Sequence, residues 1–397
     1  MKTTNKLLAL NISAILLTGC GAESSDKELP KEIPAGNTGV AVGATSDRSS
    51  ASTAIFSGTT PSEIQTELNA SSKTDTTVNG FNKHFYRIDR YNANTITKFN
   101  INAPETAIWQ CSTNEESDTN SNPYQIIHLS ETKAYVLRYG TGKIWVVNPN
   151  ISDSTQCNSF KTGEIDLASF DENDSIPNMS SAVITDGKLF VAMQLLNGFT
   201  PEQASKIAVI DTATDTLIDT DTETEGTQAI QLTGKNIGTI TYSKSLNKII
   251  AQSIGQYAVW DGSAPAGYSG GIESINPENN TVTSLVDDTE TTTKQISDIA
   301  IISADKAYMV GYASYQNNSL YQFNPATGAT LKDANSSLTA IAGLTGVNIS
   351  SITKGPDNTL WIATDSGFKV IDTTTNTIKE ALIDTKMNPT GLVFINK

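Results

Sequence analysis

Two textures of apolar spacing divide this chain. Between Leu7 and Leu17 the apolar residues run together, interrupted by Asn11 and Ser13. That run is too short for a permanent bilayer span. With Lys2 and Lys6 ahead of it, it reads as an export signal. From about residue 81 the spacing changes. Short runs of β-branched and aromatic residues alternate with turn residues every ~8–12 positions, the pattern of an all-β chain. The stretch between, residues 21–80, is rich in Ser, Thr, Gly, Ala, Asp and Glu and poor in aromatics. It reads as a flexible tether, with one possible strand near Ala54, Ile55 and Phe56.

The runs also repeat as a set. IDRYNANTITKFN (88–100), VLRYGTGKIWVVN (136–148) and MVGYASYQNNSLYQFN (309–324) each give a strand, a Tyr-bearing loop and a strand closing on Asn. KIAVIDTATDTLIDT (206–220) and FKVIDTTTNTIKEALIDT (368–385) are hairpins around a Thr-rich turn. SAVITDGKLFVAM (181–193), ISDIAIISADKAYMVG (296–311) and ISSITKGPDNTLWIAT (349–364) each place a turn between two strands. Together they make a four-stranded unit of roughly 40–60 residues, the repeat of a β-propeller blade.

The Val-Ile-Asp-Thr hairpins resemble those of bacterial propellers with the YVTN-type repeat, over about residues 81–397. The resemblance implies a fold; the family is too broad in function to imply an activity. The innermost strands are expected near 125–129, 181–185, 238–242, 297–302, 349–353 and 390–395. The last, Gly391 to Ile395, is expected to complete the blade that opens with His84 to Asp89 and so close the ring. That gives about six blades, or seven if residues 36–80 supply another. The predicted order is a signal peptide over 1–19, a lipidated cysteine and tether over 20–80, and a propeller over 81–397.

Leu17-Thr18-Gly19-Cys20 resembles the lipobox of bacterial lipoproteins. The resemblance implies a diacylglyceryl group on Cys20 and a place in the cell envelope, and Gly21 resembles outer-membrane sorting. A lipid anchor holds a protein to a membrane without a spanning helix. The chain carries 42 Asp and Glu against 27 Lys and Arg. Such a field disfavours nucleic acid as a partner. Cys111 and Cys157 remain as an even pair in an exported chain, so a disulfide is expected.

Motifs for chemistry are sparse. There is no Gly-x-Ser-x-Gly elbow, phosphate loop, His-Glu-x-x-His helix or haem-attachment site. His84 and His128 fall on predicted strands of adjacent blades and read as structural rather than as a joint metal site. Asp219, Asp221 and Glu223, and Asp171, Glu172 and Asp174, offer oxygen ligands that would suit calcium, but neither set has the spacing of a calcium loop. No other cofactor is indicated.

The coherent signal is aromatic. Loops joining the second and third strands of the blades carry Arg90 and Tyr91, Arg138 and Tyr139, Phe199, then Tyr257, Trp260 and Tyr268, then Tyr312 and Tyr315. Tyr, Trp and Arg anchor recognition surfaces, and function concentrates on loops held by rigid scaffolds. The expected role is a membrane-anchored binding module for a protein, a glycan or a small ligand. Two alternatives remain open. One is a lyase or hydrolase whose acid and base converge in the central channel, near Arg90 or Arg138. The other is an assembly factor of the envelope.

Overall fold

A computed structural model describes residues 37–396, except 62 and 259–264. These residues form a β-propeller of seven antiparallel four-stranded blades, with almost no helix. Within each blade the strands run A to D from the central channel outward. Blade I holds Asn388–Asn396 (A), Asn37–Ala44, Ala51–Ser57 and Ile64–Ser71. Blades II to VII follow in chain order: 76–112, 123–166, 179–218, 237–286, 295–347 and 351–384. Blade IV carries the extra pair Ile230–Gln231 on its third strand.

The count is seven, the second of the two expected, and residues 37–80 supply strands of the ring rather than a tether. Their strands are built from small residues, which a composition argument undervalues. Val40, Ala41, Val42, Ala54, Ile55 and Phe56 are wholly buried. Small apolar residues suit a strand covered on both faces, because β-propensity mostly reports how well a side chain fits its neighbours. The closing strand also pairs elsewhere than expected. Asn388–Asn396 lies against Asn37–Ala44, with Val40 opposite Val393. The His84–Asp89 blade takes Thr76–Phe81 as its inner strand instead. The seal is tight at Gly43, beside a bulge, where a Cβ would sit 2.2 Å from the Asn388 carbonyl oxygen.

Each blade packs face to face on its two neighbours. Strands B and C are thus covered on both sides and read as continuous apolar runs, while outer strands alternate or turn polar. Ala134–Arg138 and Thr359–Thr364 are buried at every position, whereas Thr377–Asp384 is largely exposed. The core is accordingly divided among the gaps between blades. Phe85 and Phe99 of blade II meet Val40 and Ile55 of blade I. Phe56 of blade I stacks on Trp361 of blade VII at 4.9 Å.

Around the channel the inner strands are linked by side chains that accept the next strand's backbone N–H. Asn79 accepts from Ile126 at 2.9 Å, Gln125 from Ala182 at 2.8 Å, Ser181 from Ile240 at 3.2 Å and Asp298 from Ile352 at 2.8 Å.

The Val-Ile-Asp-Thr hairpins have a physical role at the outer turns. Asp211 accepts the amides of Ala213 and Thr214, and Asp372 those of Thr374 and Thr375. Asp215 and Asn376 then take the left-handed conformation, which Asp and Asn tolerate. The preceding blade reaches into each turn. The Tyr135 hydroxyl donates to Asp215 and the Tyr308 hydroxyl to Asn376. Lys133 and Lys306 donate to the Thr212 and Thr373 carbonyls. Lys-Ala-Tyr at the start of one blade's second strand and Asp-Thr in the next blade's turn are thus two halves of one joint.

The expected disulfide is present. Cys111 ends the outer strand of blade II, and Cys157 lies in the short helical turn Ser154–Ser159 of blade III, with the two Cα atoms 5.5 Å apart. No helix among the described residues is long and apolar enough to cross a membrane. Cys20 lies outside the described residues.

Candidate functional site: the loop face and its arginine pocket

The ring has two ends. Turns joining A to B and C to D form one, where the Asp-Thr joints lie and the chain enters the ring at Asn37. Loops joining B to C, and D to the next A, form the other. Every sequence-predicted recognition residue within the described set falls on this second end or at the strand ends feeding it. They do not converge on one spot; they spread around the rim in three groups.

The first group joins blades II and III. Arg90 pairs with Asp75, Nε at 2.8 Å and Nη2 at 2.5 Å from the same oxygen. Its guanidinium also lies 4.7 Å from the centre of the Tyr124 ring. Tyr124 stacks on Tyr139 at 4.2 Å, and the Tyr139 hydroxyl donates to Gln194 of blade IV at 2.7 Å. Burial pushes the Tyr139 phenol well above its ordinary value, so it stays a donor. Tyr91 is 60% exposed. Arg138, by contrast, is 1% exposed. It donates to the Thr113 carbonyl, pairs with Asp118 and lies 4.4 Å over the Trp145 ring. This clamp ties two blades together and takes Arg138 out of any surface.

The second group is on blades V and VI. Tyr257, 44% exposed, meets Tyr312 edge-on at 5.5 Å. Tyr268 is half-buried nearby in sequence, and Asp288 accepts the Gly270 amide. Burial raises the Asp288 carboxyl to about 6. Trp260 lies outside the described residues. The third group is the most exposed: Phe199 at 94% and Tyr315 at 76%, each on a different blade.

Sequence reading missed one cavity altogether, because half of it comes from the supposed tether. A hollow of about 230 Å³ between blades I and II is lined by Ala44, Thr45, Arg48, Thr74, Asp75, Arg90, Asn388 and Thr390. Arg48 stands on the turn between the first two strands of the described chain. The available signal was the polar segment Thr45-Ser46-Asp47-Arg48-Ser49-Ser50 between two apolar runs, which is hairpin chemistry.

A larger hollow, about 680 Å³, lies at the opposite end, lined by Phe81, Lys83, His84, Glu131 and Phe394 among others. The two histidines there serve packing. His128 stacks on Phe81 at 4.5 Å, and burial drops its imidazole to about 3; His84 is lowered for the same reason. Among the described residues no three His, Cys, Asp or Glu side chains are grouped to hold a metal ion. The acidic runs noted above build turns. Asp219 accepts the Asp221 and Gln228 amides, and Asp171 accepts that of Asn173.

No family model matches the sequence, and no curated protein matches it. Solved structures do match in shape. A 6-phosphogluconolactonase-like protein from Bacteroides fragilis aligns with TM-score 0.60 at 13% identity, covering 91% of this chain and 98% of that one. Hydrazine synthase of Kuenenia stuttgartiensis aligns at 0.54 and 12%, covering 94% and 98%. AztD of Citrobacter koseri aligns at 0.51 and 11%, covering 90% and 98%. At such identities the likeness speaks for the propeller fold alone. The names attached to these neighbours differ widely, and fold does not carry function across them.

Proposed function

We propose that this propeller is a recognition module of the bacterial cell envelope, binding its partner through the B–C and D–A loop face. One observation carries the reading: the exposed aromatics Tyr91, Phe199, Tyr257 and Tyr315 all lie on that end of the ring. Exposed aromatic side chains on rigidly held loops are typical anchors for a macromolecular or sugar surface.

The chain path supports the same orientation. It enters the ring at Asn37, at the other end. A lipid on Cys20, the anchor read from Leu17-Thr18-Gly19-Cys20, would join the described chain by way of Asn37. The hairpin repeat supports a place among propellers of the YVTN type.

A channel enzyme is the second reading, and Asp298 is what favours it. Its carboxyl is raised to about 7 by burial, a proton affinity suited to a general base. Both of its oxygens, however, accept backbone amides, of Ile299 and Ile352, and neither Arg90 nor Arg138 joins it. That pattern is structural.

Crosslinked capture from the native envelope tests the proposal. The full chain is compared with a loop-face variant carrying Phe199→Ser, Tyr257→Ser and Tyr315→Ser, and with a variant altered at the opposite end, Lys83→Ser. A partner retained by the second variant and lost by the first supports recognition by the loop face. Equal capture by all three forms sinks it.

A further inference from the structure

The hollow between blades I and II has a charge balance unlike the rest of the chain. The protein is acidic throughout, with a net charge of −15. Yet this cavity is walled by two arginines and a single carboxylate. Asp75 neutralises only part of that charge. Arg90 presents both Nε and Nη2 to one Asp75 oxygen, so its Nη1 edge is not used in the pair. The Arg48 guanidinium makes no hydrogen bond or ion pair with any described residue; only the backbone amide of Arg48 is bonded. A guanidinium has five N–H donors in a fixed fork that matches the oxygens of a carboxylate or phosphate.

The backbone of the pocket and its Arg90 side are also preorganised. Arg48 sits in the left-handed region at φ 55°, held by a closely bonded turn. The Arg48 and Ser50 amides bond the Thr45 carbonyl and hydroxyl, the Thr45 amide bonds the Ser50 carbonyl, and Asp47 accepts from Thr45 and Ser49. Arg90 is fixed by Asp75 beneath and by the Tyr124 ring beside it. Thr45, Thr74, Asn388 and Thr390 complete a polar lining with hydroxyl and amide groups. Arg90, already placed, loses little ordering entropy on binding, whereas the exposed Arg48 side chain turns onto the ligand from a fixed backbone.

We infer that this cavity is an oxyanion site, in which Arg48 and Arg90 hold the carboxylate or phosphate of a small ligand or of one acidic residue of a larger one. A volume of about 230 Å³ admits one such group with a single ring attached, and lies below the usual range for drug-sized ligands. Exposed Tyr91 follows Arg90 directly, and its backbone amide donates to the other Asp75 oxygen at 3.3 Å. The inference deepens the loop-face reading by naming a ligand chemistry, and it rests on that reading only for its biological setting.

Calorimetric titration of the full chain at low ionic strength tests it, with glucuronate, inorganic phosphate and neutral glucose as probes. Glucuronate or phosphate should bind at one site and glucose should not. Binding of glucuronate alone identifies a carboxylate site, and of phosphate alone a phosphate site. Arg48→Asn keeps the left-handed turn while removing the charge, so melting should be unchanged and affinity should fall at least about tenfold. Arg48→Lys should restore part of it. Absence of binding by both anions, or unchanged affinity in Arg48→Asn, overturns the site. Either failure would leave the capture experiment with the aromatic variants untouched, so the two readings fall separately.

Discussion

The two ends of the ring are built on opposite plans. At the end with the Asp-Thr turns, one joint recurs. Lys133 and Tyr135 bind the blade IV turn as Lys306 and Tyr308 bind that of blade VII, and Lys188 similarly donates to the Pro277 carbonyl of blade V. At the other end only a backbone contact recurs, the Asn122, Asn178 and Asn236 carbonyls accepting the Tyr139, Gln194 and Ile254 amides, and the loops beyond it differ. The B–C connection is the two residues 315–316 in blade VI and the long stretch 254–270 in blade V. A repeated contact lets the same chain pattern be stacked around a ring. Loops freed from that duty can differ, and there the exposed aromatics and the arginine pocket lie. Stability should therefore be sensitive to change at the repeated joints and between blades, and binding to change at the loops.

The largest expected effect is on the link between blades II and III. Cys111 and Cys157 close a loop with a sequence separation of 46. Replacing both by Ser should lower unfolding free energy by about 4 kcal/mol on chain-entropy arithmetic. Denaturant titration of oxidised protein against the double variant checks this. A loss near zero would mean that burial alone, with Trp109 against Phe160 at 5.1 Å, holds this interface.

Next comes the inner ring. Asp298 is raised by burial from 3.8 to about 7. The folded protein thus keeps a proton that the unfolded chain gives up. Its stabilising contribution is complete below about pH 4 and is lost as pH climbs to 7. One pKa unit corresponds to about 1.4 kcal/mol, so the loss is a few kcal/mol at most. Asp288, raised to about 6, contributes in the same direction. Chemical denaturation measured across this window should show a shallower decline in Asp298→Ala than in the parent. Parallel slopes would place the titration elsewhere.

How much of this was readable in advance follows the same division. The repeated end was legible, because the Ile-Asp-Thr hairpins recur and each expected inner strand overlaps the observed one, as at 237–243 and 295–301. Blade I was not. Its strands bury mainly Ala, Val and Ile beside Phe56, and its innermost strand arrives from the far end of the chain. Composition cannot reveal a pairing between Val40 and Val393. The pocket was lost with that blade, since Arg48, Thr74 and Asp75 fall inside it or beside it. Arg138 failed for another reason. Arg-Tyr at 90–91 and at 138–139 look alike, yet strand B of blade III runs to residue 138, so Arg138 is in the strand and buried while Arg90 is in the loop.

A finer contrast comes from the joints themselves. Tyr308→Phe removes only the hydroxyl that donates to Asn376, and Tyr135→Phe the one that donates to Asp215. The first acceptor is neutral, so the cost should be about 1 kcal/mol; the second is a carboxylate also paired with Lys133, and about 1.5–3 kcal/mol is expected. Thermal melts of the two variants, which differ in one oxygen each, would rank the joints. Equal losses would mean that the carboxylate at Asp215 adds nothing over the amide at Asn376.

The smallest stability effects should come from the loop face, and they complete the comparison. Phe199 and Tyr315 have almost no packing to lose, being 94% and 76% exposed. Replacing either by Ser should shift unfolding free energy by no more than about 0.5 kcal/mol. Removing exposed aromatic surface should, if anything, raise solubility. Residues kept in contact with water contribute little to folding, so any larger effect of these substitutions should appear in binding. If melting of Phe199→Ser or Tyr315→Ser falls by several degrees, those side chains are packing elements after all and the division between the two ends fails. If melting holds while capture of the envelope partner drops, the loop face is the working surface of the ring.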